Sequence, residues 1–168
     1  ARRAQHLLMT NQFGIFTSTD VAGVEMGGAL KNIIALGAGI TEGLGYGDNA
    51  KAAYMTLGWA EMVALGVAAG AREDTFRGLA GLGDLVVTCI SPLSRNHHVG
   101  LELAKGIPLS EIMAGMSEVA EGVPTTRAAQ RMADRLGVDM PITRAIHRVL
   151  FENLPPRRAV IELFGRPL

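Results

Sequence analysis

Gly27-Gly28-Ala29-Leu30-Lys31-Asn32-Ile33-Ile34-Ala35-Leu36-Gly37-Ala38-Gly39 sets one lysine and one side-chain amide among residues too small and too apolar to hide them. Around it Val24, Met26, Leu30, Ile33, Ile34, Leu36 and Ile40 recur at three- and four-residue steps, which predicts a mostly buried helix. Ser18, Thr19 or Asp20 is placed to cap that helix, which should run to about Gly43. Each glycine inside it costs on the order of 1 kcal/mol against alanine. What glycine offers in return is close approach by another backbone or by a ligand. Lysine is rarely buried without purpose, and two readings of Lys31 stand side by side. Its stem can lie along apolar surface with the ammonium in water. Alternatively it stands on the floor of a cleft, where desolvation moves an amine from about 10.4 toward the range of an acid/base catalyst. Partner groups elsewhere in the chain decide between them.

The 168 residues, 48% hydrophobic and 19% charged, are enough for one ordinary globular domain. Sixteen basic residues balance sixteen acidic ones. Arg2-Arg3 and Arg157-Arg158 form no basic stripe, which argues against a nucleic-acid partner. The single Cys89 sits in the apolar run 85–90, so no internal disulfide can form, and a buried thiol in a reducing compartment is expected. No secretory leader opens the chain, which begins abruptly, as a fragment would. The stretch 52–71 is long enough to span hydrocarbon, but Glu61 and its glycines favour a core helix over a transmembrane one, and a cytoplasmic location is the expectation.

Taken in order, residues 1–9 can form two helical turns, and Phe13-Gly14-Ile15-Phe16-Thr17-Ser18 reads as one strand. A strand alone makes no sheet, so it is either an orphan or the end of a domain that lies upstream. The loop Gly43-Leu44-Gly45-Tyr46-Gly47-Asp48-Asn49 should end in a cap by Asp48 or Asn49. It lacks the spacing of a phosphate loop, and no G-x-G-x-x-G follows a strand anywhere, so nothing here binds a dinucleotide unaided. The helix over 52–71 is apolar almost all round, with Glu61 its one oddity. In 78–89 glycines again flank a lone acid, and Asp84 and Thr88, four apart, would share a helix face.

Ser94 is a good N-cap for a helix opening Ser94-Arg95-Asn96, where a guanidinium and the helix dipole suit an anion, although plain capping is the commoner use of such a start. His97-His98 is no metal signal, because adjacent helical residues diverge, and no metal is expected. Later apolar faces comprise Leu109, Ile112, Met113 and Met116, then Ala128, Ala129, Met132 and Leu136, then Ile142, Ala145, Ile146, Val149 and Leu150 after Pro141. Pro155-Pro156 stops that helix, and Ala159, Val160, Leu163 and Phe164 suggest a last turn. About seven helices and one orphan strand amount to an all-α domain.

Five motifs then occur in one order: Glu25-Met26-Gly27-Gly28-Ala29-Leu30-Lys31-Asn32; Gly47-Asp48-Asn49-Ala50-Lys51-Ala52-Ala53; Gly78-Leu79-Ala80-Gly81-Leu82-Gly83-Asp84-Leu85 with Thr88-Cys89; Ser94-Arg95-Asn96; and Glu121-Gly122-Val123. Together they resemble NAD(P)-dependent glycerol-3-phosphate dehydrogenase, from residue 1 to about 150. The resemblance implies an all-α second domain of the 6-phosphogluconate dehydrogenase C-terminal type over 20–168, with 1–19 as the tail of an N-terminal Rossmann domain that carries NAD or NADP. It implies interconversion of glycerol 3-phosphate and dihydroxyacetone phosphate, which supplies phospholipid synthesis. It implies Lys31 as the catalytic lysine, Lys31, Asn32, Asp84, Thr88, Ser94, Arg95 and Asn96 as substrate-binding positions, and Arg95, Val119 and Glu121 as positions that approach the cofactor. The chain departs from the family pattern at Ala50, where threonine is common, and at Leu57, where arginine is common. On this reading the piece alone is inactive. NAD against NADP stays open, and so does the oligomeric state, a homodimer included. Two rivals remain: a related hydroxy-acid or 6-phosphogluconate-type dehydrogenase, and a helical binding module in which Lys31 and Asp84 are a mere buried ion pair.

Overall fold

The structure, a computed structural model, describes residues 1–165. Among these residues are ten α-helices and one π-helical turn, so the all-α expectation holds with more and shorter helices than the apolar periodicity alone suggests. Helix α1 spans Arg2–Leu8 and α2 spans Val21–Gly43. Asp20 caps α2, its carboxylate accepting from Gly23 N at 3.0 Å. The same carboxylate accepts from Thr75 Oγ1 at 2.6 Å and Arg72 N at 2.9 Å, so one buried acid ties the start of α2 to a segment fifty residues on. The Thr75 hydroxyl, with the Gly23 and Arg72 amides, holds that carboxyl below the usual range.

No strand forms over 13–18, which corrects the expected orphan strand. A single antiparallel bridge joins Thr10 to Phe13, and both Phe13 and Phe16 are exposed. The reason is physical: an extended segment gains a ladder only beside another strand, and the described residues contain none.

Helix α2 is the axis of the domain. It is wrapped by α3 (Asp48–Ala68), α5 (Asp84–Ile90), α6 (Arg95–Ala104) and α8 (Gly122–Leu136). Its residues from Leu30 through Thr41 are almost all buried. It is also the one helix among the described residues long and apolar enough to cross a membrane, although 56% of that window is buried against its neighbours. The α2–α6 crossing explains the glycine content, because the two backbones touch. A Cβ on Gly39 would lie 2.1 Å from the His97 carbonyl oxygen, and one on Gly100 2.0 Å from that of Leu36. Ridge-in-groove packing this close needs both positions bare.

Helix α3 differs from its sequence reading in two respects. It buries one face only (Tyr54, Gly58, Glu61, Met62, Leu65 and Gly66), and Val67 is 45% exposed. It also starts at Asp48 with Gly47 as N-cap and no side-chain cap, because Asp48 falls inside the first turn. Glu61 is explained by α9 (Pro141–Phe151). Its buried carboxylate accepts from Ile142 N, from Thr143 N at 3.0 Å and from Thr143 Oγ1 at 3.0 Å, so it caps α9 from another helix.

Short α4 (Glu73–Arg77) and the π-turn Leu79–Gly83 link α3 to α5, and α7 (Leu109–Ala114) precedes α8. On α8 the buried stripe is Val123, Thr126, Ala129 and Ala133, whereas Ala128 and Leu136 face solvent. Helix α10 (Pro156–Phe164) follows Pro155, and Cys89 is fully buried, its thiol pushed up to about 12 by burial.

Candidate active site

Lys31 and Asn32 project from α2 toward the N-terminal ends of α5, α6 and α8. Asp84 opens α5 directly after the π-turn. A π-turn inserts one extra residue and so re-aims the side chains on its C-terminal side. Asp84 Oδ1 lies 2.5 Å from Lys31 Nζ, 53 residues away in sequence. Their side chains keep 19% and 35% exposure, so the pair is lodged in an open cleft rather than sealed in the core. Thr88 does share the Asp84 face, but its hydroxyl donates to the Asp84 carbonyl at 2.6 Å.

Ser94 caps α6, accepting from His97 N at 3.3 Å. Arg95 and Asn96 are therefore the first two residues of the helix, where the dipole favours an anion. Asn96 is buried, and its amide is the middle link of a hydrogen-bond chain. Gly122 N donates to Asn96 Oδ1 at 2.8 Å, Asn96 Nδ2 to Asn32 Oδ1 at 3.0 Å, and Asn32 Nδ2 to the Gly28 carbonyl at 3.2 Å. Three helices are thereby locked together behind Lys31. The lock requires a glycine at 122, since a Cβ there would lie 2.6 Å from the Asn32 carbonyl oxygen.

A cavity of about 380 Å³ opens in front of these groups. Lys31, Asn32, Thr88, Ser94, Arg95, Asn96 and Glu121 all border it, and Gly28, Val87, Ser91 and Leu93 complete the wall. Asp84 reaches it through Lys31. Val119 does not border it; the side chain is 58% exposed. At the rim Arg95 pairs with Glu118 at 2.8 Å, both side chains well exposed. Sequence reasoning missed Glu118, which carries no local signal, and named Gly28 only among the glycines that let another backbone or a ligand come close. No cluster of three or more His, Cys, Asp or Glu side chains suited to a metal occurs among the described residues.

The arrangement puts an amine paired with a carboxylate, and the guanidinium of Arg95, on one hollow. Comparison with known proteins gives this geometry a lineage. The family model described as the C-terminus of NAD-dependent glycerol-3-phosphate dehydrogenase matches residues 20–161. The chain belongs to that family. A glycerol-3-phosphate dehydrogenase [NAD(P)+] from Syntrophotalea carbinolica is 55% identical over all 168 residues, which make up 50% of its length. One from Geobacter sulfurreducens is 52% identical over the same span. Among solved structures, the Coxiella burnetii glycerol-3-phosphate dehydrogenase superposes with a TM-score of 0.95 at 39% identity, over 98% of this chain and 51% of the other. The Saccharomyces cerevisiae enzyme gives 0.86 at 29% identity, over 98% and 48%. The chain thus spans about half the length of the relatives it matches. That likeness accounts for the order of the five motifs and for the shared helical scaffold.

Proposed function

We propose that this chain is the substrate-binding and proton-transferring half of an NAD(P)-dependent glycerol-3-phosphate dehydrogenase, and that residues 1–19 are the tail of a nucleotide-binding half preceding it. The observation that carries the reading is that Lys31, paired with Asp84, and Arg95, at the start of α6, border one cavity. Family membership supports the same reading. A three-carbon phosphoester with a central carbonyl needs one of those cations at its phosphate and the other at its carbonyl oxygen.

The cofactor belongs mainly to the preceding half. This chain's share is consistent with it, since Arg95 and Glu121 border the cavity and the exposed Val119 stands two residues before Glu121. When bound, the nicotinamide supplies or accepts the hydride. This chain's residues do the rest. Arg95 and the N-terminus of α6 hold the phosphate and so fix the carbonyl near Lys31. As negative charge grows on the carbonyl oxygen, the Lys31 ammonium stabilises it and delivers a proton to it. In the oxidative direction the neutral Lys31 amine takes the proton of the C2 hydroxyl. Asp84 holds Nζ at 2.5 Å, which fixes where the proton is given and taken. Asn96 and Asn32 keep α6 and α2 in register, so that the two cations keep their spacing. A cytoplasmic location and supply of glycerol 3-phosphate to phospholipid synthesis follow from the same reading.

The test is NADH oxidation with dihydroxyacetone phosphate by the full-length gene product and its Lys31→Ala variant. The variant should lose roughly 10²–10⁴-fold in kcat, with KM changed far less, because a proton donor acts mainly in the transition state. Near-normal turnover in Lys31→Ala removes Lys31 from this role. A gene with no nucleotide-binding half upstream, or a wild type that prefers another hydroxy acid, refutes the assignment.

A further inference from the structure

Some interior glycines of α2 are explained by what presses on them, but Gly28 is not. A Cβ at neighbouring Gly27 would lie 2.6 Å from the Ala80 carbonyl oxygen, whereas one at Gly28 would meet no atom of the described residues within 4 Å. Gly28 does not have a positive φ either, so alanine fits its backbone. A bare position in mid-helix weakens the helix relative to alanine. The fold therefore gains nothing from this glycine. The space over it is part of the cavity, since Gly28 borders it one turn before Lys31 and Asn32, on the same helix face.

The position along α2 says which part of a ligand would come there. Asn32 touches Asn96 of α6, the helix that carries Arg95. Gly28 lies four residues, about 6 Å, further from that junction along the axis. With a phosphate on Arg95 and a carbonyl at Lys31, the carbon beyond the carbonyl is the one nearest Gly28. We propose that Gly28 is a specificity-determining residue, kept bare so that the hydroxymethyl group of the substrate, and not a side chain, fills the space over its Cα. This rests on the functional reading above and adds the residue that sets the size limit at the end of the substrate away from the phosphate.

The experiment compares full-length wild type with Gly28→Ala. It measures thermal midpoint and kcat/KM for dihydroxyacetone phosphate. It also measures glycolaldehyde phosphate, which lacks the hydroxymethyl group, as an alternative substrate or, where it is not turned over, as a competitive inhibitor. Expected are a midpoint that holds or rises, a fall of about ten-fold or more in kcat/KM for dihydroxyacetone phosphate, and a clearly smaller effect on glycolaldehyde phosphate. A structural role would lower the midpoint instead. A lowered midpoint, a kcat/KM for dihydroxyacetone phosphate within about two-fold of wild type, or an equal loss for both compounds overturns the inference while leaving the function standing. An inactive wild type overturns the functional reading itself, and this inference with it.

Discussion

Glu61 offers the sharpest test of the packing argument, because its energetics can be worked out from the geometry and have a sign. The residue is 7% exposed, and its carboxyl accepts from the Ile142 amide, the Thr143 amide and the Thr143 hydroxyl. Burial and these donors act in opposite directions on its titration. Burial wins, and the carboxyl is pushed up from 4.5 to about 7. Between those two values the folded chain binds a proton that the unfolded chain does not. The contribution to stability is therefore fully present below pH 4.5 and is lost as pH rises to 7. Two and a half units at about 1.36 kcal/mol each come to roughly 3 kcal/mol. Glu61→Gln removes the titration while keeping the shape. Urea unfolding of both proteins, followed by fluorescence of Trp59 across pH 4.5–8, should give curves that diverge, with wild type losing about 3 kcal/mol relative to the variant. Glu61→Ala removes the titration as well, so its cost relative to wild type should be largest near pH 4.5, about 3 kcal/mol as three buried donors lose their acceptor, and should shrink as pH rises through 7 and wild type loses its own contribution. Parallel curves for wild type and Glu61→Gln, or wild type gaining on the variant as pH rises, would refute the claim that burial outweighs the three donors.

Two further outcomes are expected at the site. Arg95→Ala should raise KM for dihydroxyacetone phosphate by roughly 10–100-fold, the loss of a charge-assisted hydrogen bond of about 1.5–3 kcal/mol, with a smaller change in kcat. An unchanged KM in steady-state assays places the phosphate elsewhere. Gly122→Ala should lower the thermal midpoint by roughly 2–12 °C, because its Cβ has to displace the Asn32 carbonyl or the Asn96 amide at a cost of about 1–3 kcal/mol. A midpoint equal to wild type means the chain of amides is slack.

What could be read from the sequence was whatever has a short-range cause. The extent of α2, the cap of α2 by one of Ser18, Thr19 and Asp20, the Ser94 cap and the buried face of α9 all depend on residues within a few positions of one another, and the structure has them where the periodicity and capping chemistry allow, with Asp20 as the α2 cap. The features that escaped depend on long-range partners. The expected strand at 13–18 failed because a strand is defined by its neighbour. The role of Glu61 stayed hidden because the helix it caps begins some 80 residues later. Glu118 could not be found at all, since only the fold brings it to Arg95.

The glycines show where this boundary lies within a single motif. Gly27 and Gly28 are adjacent, identical in the chain and equally costly to a helix. One is bare because the π-turn backbone rests on it, and the other although nothing rests on it. No local rule separates them, because a glycine's reason is the object that faces it, and for Gly28 none of the described residues is that object. The polar residues of the site were conspicuous because lysine, aspartate and asparagine are out of place among small apolar neighbours. A binding surface made by omission is read only from the fold, where the gap over a bare position is found to border the amine.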